Sequence, residues 1–271
     1  MSNTPQAAQA GPVILEGKHD GIATLVMNRP DRLNALNNEL AVAINDALGR
    51  LAEDTSVNVV VITGAGRAFC AGGDLSAMGK SRQAGKMQEL EPLLRAGMQM
   101  VLKMRTMPQP VIAAVNGAAA GAGLNIALAA DIRIASEEAT FGQTFARVGL
   151  FPDYGGTYFL PQLVGPSRAA ELFYTGDIID AKTALMIGLV NHVVPAARLE
   201  AEVATLAQKI AHGPSLAIRA VKKALFASGE KDLTAALENE VREQMRCFLS
   251  EDCNEGIRAF LEKRHPKFQG K

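Results

Sequence analysis

The sequence predicts an α/β fold, and three observations carry this prediction. Short apolar runs that are typical of buried strands alternate with helical periodicity up to about residue 195. Two of these runs end in Gly-rich loops, at 64–73 and 116–123. After about residue 198 the pattern is helical only. We therefore expect a disordered tail at 1–12, an α/β core at 13–198 and a helical region at 199–271.

The composition is that of an ordinary globular protein and excludes several functional classes. A chain of 271 residues is long enough to bury a substantial core. Lys and Arg balance Asp and Glu at 28 each, so charge gives no reason to expect nucleic acid or a membrane as partner. The 3 cysteines and 4 histidines are too scattered for a disulfide framework or a metal site. The first dozen residues lack the apolar core of a secretory signal, so a cytoplasmic location is expected.

The elements follow from hydrophobic periodicity and from turn residues. We expect a mobile loop over 79–85, because this stretch is polar and bounded by glycines. The predicted strands are 13–16, 22–27, 57–63, 111–115, 132–135 and 189–194. The predicted helices are 34–51, 87–104, 167–174, 181–187, 200–211, 215–227, one capped by Asp232 and one capped by Ser250.

The central stretch 111–131, VIAAVNGAAAGAGLNIALAAD, organises the rest of the chain. It is long enough for a transmembrane helix, but its asparagines and glycines argue against one. We interpret it as a buried strand, a tight Gly-rich turn and a helix that begins near 122–124. The first N–H groups of such a helix have no intrahelical acceptor and suit a developing negative charge. Close packing of small residues explains the same pattern equally well.

Two further segments bear on function. The loop after the strand at 57–63 is not a dinucleotide fingerprint, because Phe69 stands where its third glycine should be, and a nucleotide-binding dehydrogenase is therefore disfavoured. Asp153 lies between Pro152 and the pair Gly155-Gly156. This aspartate is either a turn residue or a positioned acid, and the local pattern slightly favours the turn.

Four segments in order resemble the enoyl-CoA hydratase/isomerase (crotonase) superfamily. They are NRPDRLNAL at 28–36, ITGAGRAFCAGGDL at 62–75, PVIAAVNGAAAGAGLNIALAADIRIAS at 110–136 and FGQTFARVGLFPDYGGTYFLPQLVG at 141–165. The segment GLFPDYGGT and the closing FLEKRHPKFQGK resemble most the 1,2-epoxyphenylacetyl-CoA and enoyl-CoA isomerases of phenylacetate degradation. The resemblance implies a crotonase-type ββα superhelix with a C-terminal helical region that forms trimers, often paired into hexamers.

The resemblance also implies an acyl-CoA substrate and no separate cofactor. The thioester oxygen would lie between the backbone N–H groups of Gly73 and Ala122, an arrangement that contributes about 2.7–4 kcal/mol per donor in other enzymes. The positions implied to bind coenzyme A are Arg32, Leu33, Ala35, Ala71, Asp74, Leu75, Phe260 and Lys263. Phe260 and Lys263 match C-terminal positions that approach coenzyme A, either from the same chain or from the next subunit.

The departures from the family pattern indicate the reaction. Hydratases of the family carry two glutamates where this chain has Asn125 and Phe145, and neither residue exchanges a proton at neutral pH. Asp153 matches the aspartate of the isomerase branch, and one carboxylate is enough to move a proton between two carbons. A pocket lined by Phe69, Phe145, Phe151 and Tyr154 is expected to raise the pKa of Asp153, and Asn125 is expected to pack or orient in the acyl pocket rather than to react.

The sequence therefore predicts a CoA-thioester isomerase with Asp153 as acid and base. The substrate would be a 3-enoyl-CoA or the ring epoxide of phenylacetyl-CoA. Two alternatives stay open: an enoyl-CoA hydratase that uses Asp153 with water, and a non-catalytic acyl-CoA-binding member of the family.

Overall fold

Within residues 11–227 and 232–271, which the computed structural model describes, ten strands form two sheets. The first sheet has the order β1-β2-β3-β5-β7-β10, in which only β1 and β2 pair antiparallel. The second sheet has the order β4-β6-β8-β9, with β8 and β9 antiparallel. The strands are β1 Ile14–His19, β2 Ile22–Met27, β3 Val59–Gly64, β4 Ala68–Cys70, β5 Val111–Val115, β6 Ala118–Ala120, β7 Ile132–Ser136, β8 Thr140–Gly142, β9 Ile178–Asp180 and β10 His192–Val194.

Helices connect the strands and complete the chain. They are α1 Asn38–Glu53, α2 Leu75–Gln83, α3 Glu91–Thr106, α4 Ala122–Ala129, α5 Gly156–Val164, α6 Pro166–Thr175, α7 Ala181–Met186, α8 Leu199–Ala211, α9 Ser215–Ala227, α10 Leu233–Phe248 and α11 Glu251–Leu261. Short 3-10 helices lie at Pro30–Arg32, Met87–Leu90, Thr144–Val148 and Ala196–Arg198.

The two sheets arise from one repeated connection. Strand β3 is followed after a tight turn by β4, β5 by β6, and β7 by β8, so each long strand of the first sheet continues as a short strand of the second. Helices follow each pair. This is a ββα superhelix, and it confirms the fold class expected from the sequence.

Alternate residues of the first sheet contact different cores, as the two-residue period of a strand requires. Val60 and Ile62 of β3 face the main core with α1, α3 and α4, whereas Val59 and Val61 face α8. On α8, Leu199, Val203, Ala207 and Ala211 cover this second face. Both faces of the parallel sheet are therefore protected from water, as parallel sheets require.

Most predicted elements of the first sheet are confirmed, and the strands at 22–27 and 111–115 have the predicted limits. The loop predicted over 79–85 is wrong in part, because α2 continues to Gln83. The side chain of Asp74 accepts a hydrogen bond from Ala77 N at 3.2 Å and caps this helix. The cap stabilises a helical start that the polar composition did not indicate.

The proposed division of the chain remains a prediction. Residues 1–10 of the expected tail lie outside the described residues, whereas Gly11 and Pro12 are exposed and irregular. Helix α8 begins at the predicted boundary but packs directly on the sheet. In the described part of the chain, no helix combines the length and hydropathy that a membrane span needs.

The close backbone approach in the tight turn between β5 and β6 can be tested by substitution of Gly117. A Cβ atom on Gly117 would lie 2.1 Å from the carbonyl oxygen of Arg67, whereas one on Gly17 would have no neighbour within 4 Å. We expect Gly117→Ala to lower the free energy of unfolding by about 1–3 kcal/mol, because backbone must move to admit the methyl group. Urea denaturation measures the change. Gly17→Ala is the control, and an equal effect of both substitutions would contradict this account.

Candidate active site

The two Gly-rich loops meet at one edge of the second sheet. Strands β4 and β6 are parallel neighbours, so the loops that follow them leave the sheet side by side. Gly72 has a φ of +92°, and a Cβ atom there would lie 2.8 Å from the carbonyl oxygen of Ala120 and 3.6 Å from Ala122 N. Only glycine permits this approach, which brings the loop of Gly72 and Gly73 against the start of α4.

The amides of Gly73 and Ala122 are both available in this arrangement. Leu36 N donates to Gly72 O at 2.7 Å and Asp74 N donates to Leu36 O at 3.0 Å, so the parallel bridge to Leu36 uses the two neighbours of Gly73. The N–H of Gly73 itself therefore points away from this bridge. Ala122 is the first residue of α4, where a backbone N–H has no intrahelical acceptor. The predicted donors thus lie in adjacent loops.

Asn125 joins α4 to the segment that carries Asp153. Asn125 lies one helical turn after Ala122, about 4.5 Å along the axis, and is fully buried. Its Nδ2 donates to the carbonyl oxygen of Asp153 at 2.8 Å, and its Oδ1 accepts from Gln143 Nε2 at 2.7 Å. Both ends of the amide are therefore used to hold neighbouring segments.

The carboxyl group of Asp153 has an unusual environment. Its Oδ1 is buried and has no hydrogen-bond partner among the described residues. Burial raises the pKa of Asp153 from 3.8 to about 6, because the charged form loses its hydration. A carboxyl group of this kind exchanges protons readily near neutral pH.

Tyr154 and Phe145 form the apolar side of this region. The Tyr154 ring lies against α3, since a Cβ atom on Gly97 would lie 2.2 Å from its Cε2 and Cζ. Its hydroxyl is buried without a partner among the described residues, and burial raises its pKa above the ordinary value. Phe145 Cζ lies 3.6 Å from the Cβ position of Gly121, which precedes α4. Phe145 is thus close to the loop that precedes α4, whereas Tyr154 packs on α3 next to Asp153 in the chain.

Two other predicted pocket residues differ in their exposure. Phe69, on β4, is fully buried in the main core. Phe151 is 79% exposed in the single chain, because it precedes Pro152 in an irregular segment. These exposures do not locate either ring relative to the Asp153 carboxyl group, so the role of both rings in its pocket stays a prediction.

The predicted coenzyme A segments at 32–35 and 71–75 are joined to each other. Ala71 N donates to Leu33 O at 3.0 Å. Arg29 binds the carbonyl oxygen of Ala35 and forms an ion pair with Asp74 at 3.1 Å. Burial opposes ionisation of Asp74, but hydrogen bonds from Ala77 N and Arg29 outweigh it and lower its pKa. Arg32 and Leu75 remain exposed at the margin of this surface.

Sequence reasoning did not identify Arg29 and Asn34, which hold this surface in shape. Leu33 and Asn34 both have positive φ, at 50° and 56°, which is costly for residues other than glycine. The fully buried Asn34 side chain donates to Ala65 O at 2.9 Å and Ala68 O at 2.8 Å, and accepts from Arg29 N at 2.9 Å. The second asparagine of NRPDRLNAL, Asn34, was the signal available in the sequence, because asparagine adopts positive φ more readily than most residues.

Phe260 and Lys263 do not join these segments within one chain. Both lie at the end of α11, which packs mainly on α10. Phe260 is 83% exposed. Their predicted approach to coenzyme A stays a prediction.

Comparisons with known proteins agree with this geometry. A family model described as Enoyl-CoA hydratase/isomerase matches residues 17–271. A "Probable enoyl-CoA hydratase" of Rhodobacter capsulatus is 43% identical over 93% of this chain and 96% of the relative. The 1,2-epoxyphenylacetyl-CoA isomerase of Escherichia coli is 37% identical over 95% and 98%. The crystal structure of an enoyl-CoA hydratase from Bacillus anthracis has a TM-score of 0.90, with 36% identity over 96% of this chain and all of that chain.

The buried amide of Asn125 generates a testable prediction. Asn125→Ala leaves Gln143 Nε2 without its acceptor, removes one of the two donors to the carbonyl oxygen of Asp153, which keeps Gly156 N, and removes buried volume. We expect the free energy of unfolding to fall by about 2–4 kcal/mol. Thermal and urea denaturation measure this change. Asn38→Ala, at an exposed position that begins α1, is the control and should have little effect; similar stability of the two variants would refute a supporting role for Asn125.

Proposed function

Because the chain belongs to the enoyl-CoA hydratase/isomerase family, we propose that it acts on acyl-CoA thioesters, and specifically as an isomerase with Asp153 as acid and base. The observation that carries the proposal is the buried Asp153 carboxyl group with its raised pKa, in a segment whose backbone is bound by Asn125, one helical turn after Ala122. Asn125 and Phe145 support it, since neither supplies a second proton-transfer group.

The proposed reaction begins at the thioester. Its carbonyl oxygen accepts hydrogen bonds from Gly73 N and Ala122 N, which stabilise the enolate that forms when a proton leaves the neighbouring carbon. The Asp153 carboxylate takes this proton from C2 of a 3-enoyl-CoA. The resulting carboxylic acid returns a proton at C4, and the double bond moves from C3–C4 to C2–C3 with no net change in composition.

The acyl group of the substrate is less narrowly defined. A 3-enoyl-CoA and the ring epoxide of phenylacetyl-CoA both place a carbon acid next to a thioester. Similarity to the epoxyphenylacetyl-CoA isomerase supports the second substrate. The apolar ring of Phe145 beside the loops is compatible with either.

Hydration of a 2-enoyl-CoA is the second candidate, and one observation favours it. The Rhodobacter capsulatus relative, whose name says hydratase, is more similar to this chain than the isomerase relative is. In a hydratase reaction Asp153 would activate water. Neither Asn125 nor Phe145 could then serve as the second acid that protonates the α carbon.

We also propose that the chain self-associates into trimers or hexamers. Along α10 the side chains of Leu233, Leu237, Val241, Met245 and Phe248 are all at least 50% exposed. They recur at helical spacing and form one apolar stripe. Burial of this stripe between subunits would also bring C-terminal residues of one chain near another.

Replacement of the proposed base tests the mechanism. We expect Asp153→Asn to lower the rate of 3-hexenoyl-CoA isomerisation roughly a hundredfold or more, because the amide cannot accept the proton. The same assay in deuterated water follows label entering C2 and C4. Asp177→Asn, at an exposed aspartate that pairs with Arg147, is the matched control and should retain activity.

The assay also separates the candidates. Full activity of Asp153→Asn would refute the proposed base. Wild-type hydration of crotonyl-CoA without any isomerisation would favour the hydratase. Tight binding of acyl-CoA with neither reaction would indicate a non-catalytic family member.

The raised pKa of Asp153 predicts the pH dependence. The free enzyme needs the carboxylate to accept a proton, so kcat/KM should rise with pH and level off above about 6. An ordinary aspartate would give this rise near 3.8. A pH profile of isomerisation over the stable range of the protein measures the midpoint, and a midpoint near 4 would show that burial does not control this carboxyl group.

A further inference from the structure

A second cavity lies at the C-terminal end of α4, opposite the candidate active site. Its volume is about 240 Å³. Leu128 and Ala130 line it at the end of α4, Phe159 and Leu163 line it on α5, and Phe226 lines it on α9. Leu128 is about 9 Å along the helix axis from Ala122. The cavity is therefore separate from the loops that carry the proposed oxyanion donors.

This cavity carries an excess of positive charge. Arg105 and Arg133 line it together with Asp131, which is the one acidic residue among its described lining residues. Asp131 forms ion pairs with Arg105 at 3.0 Å and with Lys222 at 2.9 Å. Three cations therefore surround one carboxylate, and Lys222 and Arg133 are each only 5% exposed.

Structural roles explain only part of this charge. Lys222 Nζ also donates to Met104 O and Gln109 O, both at 2.7 Å, which attaches α9 to the core. The C-terminal end of α4 carries a partial negative charge of about one half. With Asp131 it offsets about one and a half of the three positive charges. Among the described residues, about one and a half positive charges therefore stay without a negative partner beside this partly open cavity, and this imbalance favours a bound anion.

Each of the two arginines also has a side-chain N–H donor without an acceptor among the described residues. The Phe159 and Phe226 rings cover the Arg105 guanidinium, with centroids 5.7 and 5.3 Å from Cζ. Its Nη1 binds Asp131, whereas its Nε is buried and has no partner among the described residues. Arg133 uses Nε on Leu189 O and Nη1 on Ala130 O. No described residue accepts a hydrogen bond from its Nη2.

We propose that this cavity binds a small carboxylate at a site distinct from the acyl-CoA site. The flat edge of a guanidinium group matches the two oxygens of a carboxylate. The apolar walls of Leu128, Leu163 and Phe226 suit a short hydrocarbon or single-ring body. The volume lies just below the range of about 300–1,000 Å³ that is typical of drug-sized ligands, so the ligand is small. This inference does not rest on the isomerase activity.

Calorimetric titration with sodium benzoate tests the site. Gln162 is exposed at its edge, so Gln162→Glu adds a negative charge there without disturbing the core. We expect wild type to bind one benzoate per chain and Gln162→Glu to bind it at least about tenfold more weakly, because the new carboxylate repels the ligand. Gln208→Glu, at an exposed position of α8, is the matched control and should bind as wild type does.

Several outcomes would overturn the proposal. They are no binding of benzoate or butyrate, equal binding by wild type and Gln162→Glu, and tighter binding of inorganic phosphate than of benzoate. A crystal structure with benzoate locates the ligand directly. Electron density for benzoate beside Arg105 and Arg133 is the expected result, and density only near Asp153 would assign the binding to the acyl site instead.

Discussion

The structure depends on how closely backbone segments approach one another around β4. Cβ atoms on Gly64, Gly117 and Gly123 would each lie 2.1 or 2.2 Å from a carbonyl oxygen of the segment 67–70. Contacts this short leave no space for any side chain. They hold β4 between the turn after β3, the turn before β6 and the first turn of α4. The loop that follows β4 therefore emerges beside α4, and the two candidate amides become neighbours.

In the candidate active site, Asp153 is the carboxyl group proposed to carry protons, and Asn125 and Phe145 supply no second acid. Asn125 is buried and uses both ends of its amide, so it supports the segment of Asp153 without adding a second carboxylate. A second acid at this position would compete with Asp153 for protons and would disfavour its ionisation. A single, desolvated carboxylate is suited to carrying one proton between two carbons. This is the physical reason to prefer the proposed isomerase over a reaction that must also handle water.

The sequence predicted the elements that have strong periodicity or strong caps. Strands β2 and β5 have the predicted limits, and Asp232 and Ser250 cap their helices as expected. The second sheet was not predicted, because its strands have only three residues each and carry too few positions to show alternation. Helix α5 was also missed, since Pro161 lies inside it. Phe69 is fully buried and Phe151 is 79% exposed, a difference that their positions beside Gly-rich segments of the sequence did not indicate.

Helix α4 relates the candidate active site to the second cavity. All eight of its residues are buried, so water screens its dipole little along its length. The positive end faces the position proposed for the thioester oxygen, and the negative end faces Arg105 and Arg133. At the negative end, Arg133 Nη1 donates to the carbonyl oxygen of Ala130. An anion beside the arginines would therefore lie about 9 Å along the helix axis from Ala122, so that one buried helix offers its two ends to two chemically different sites.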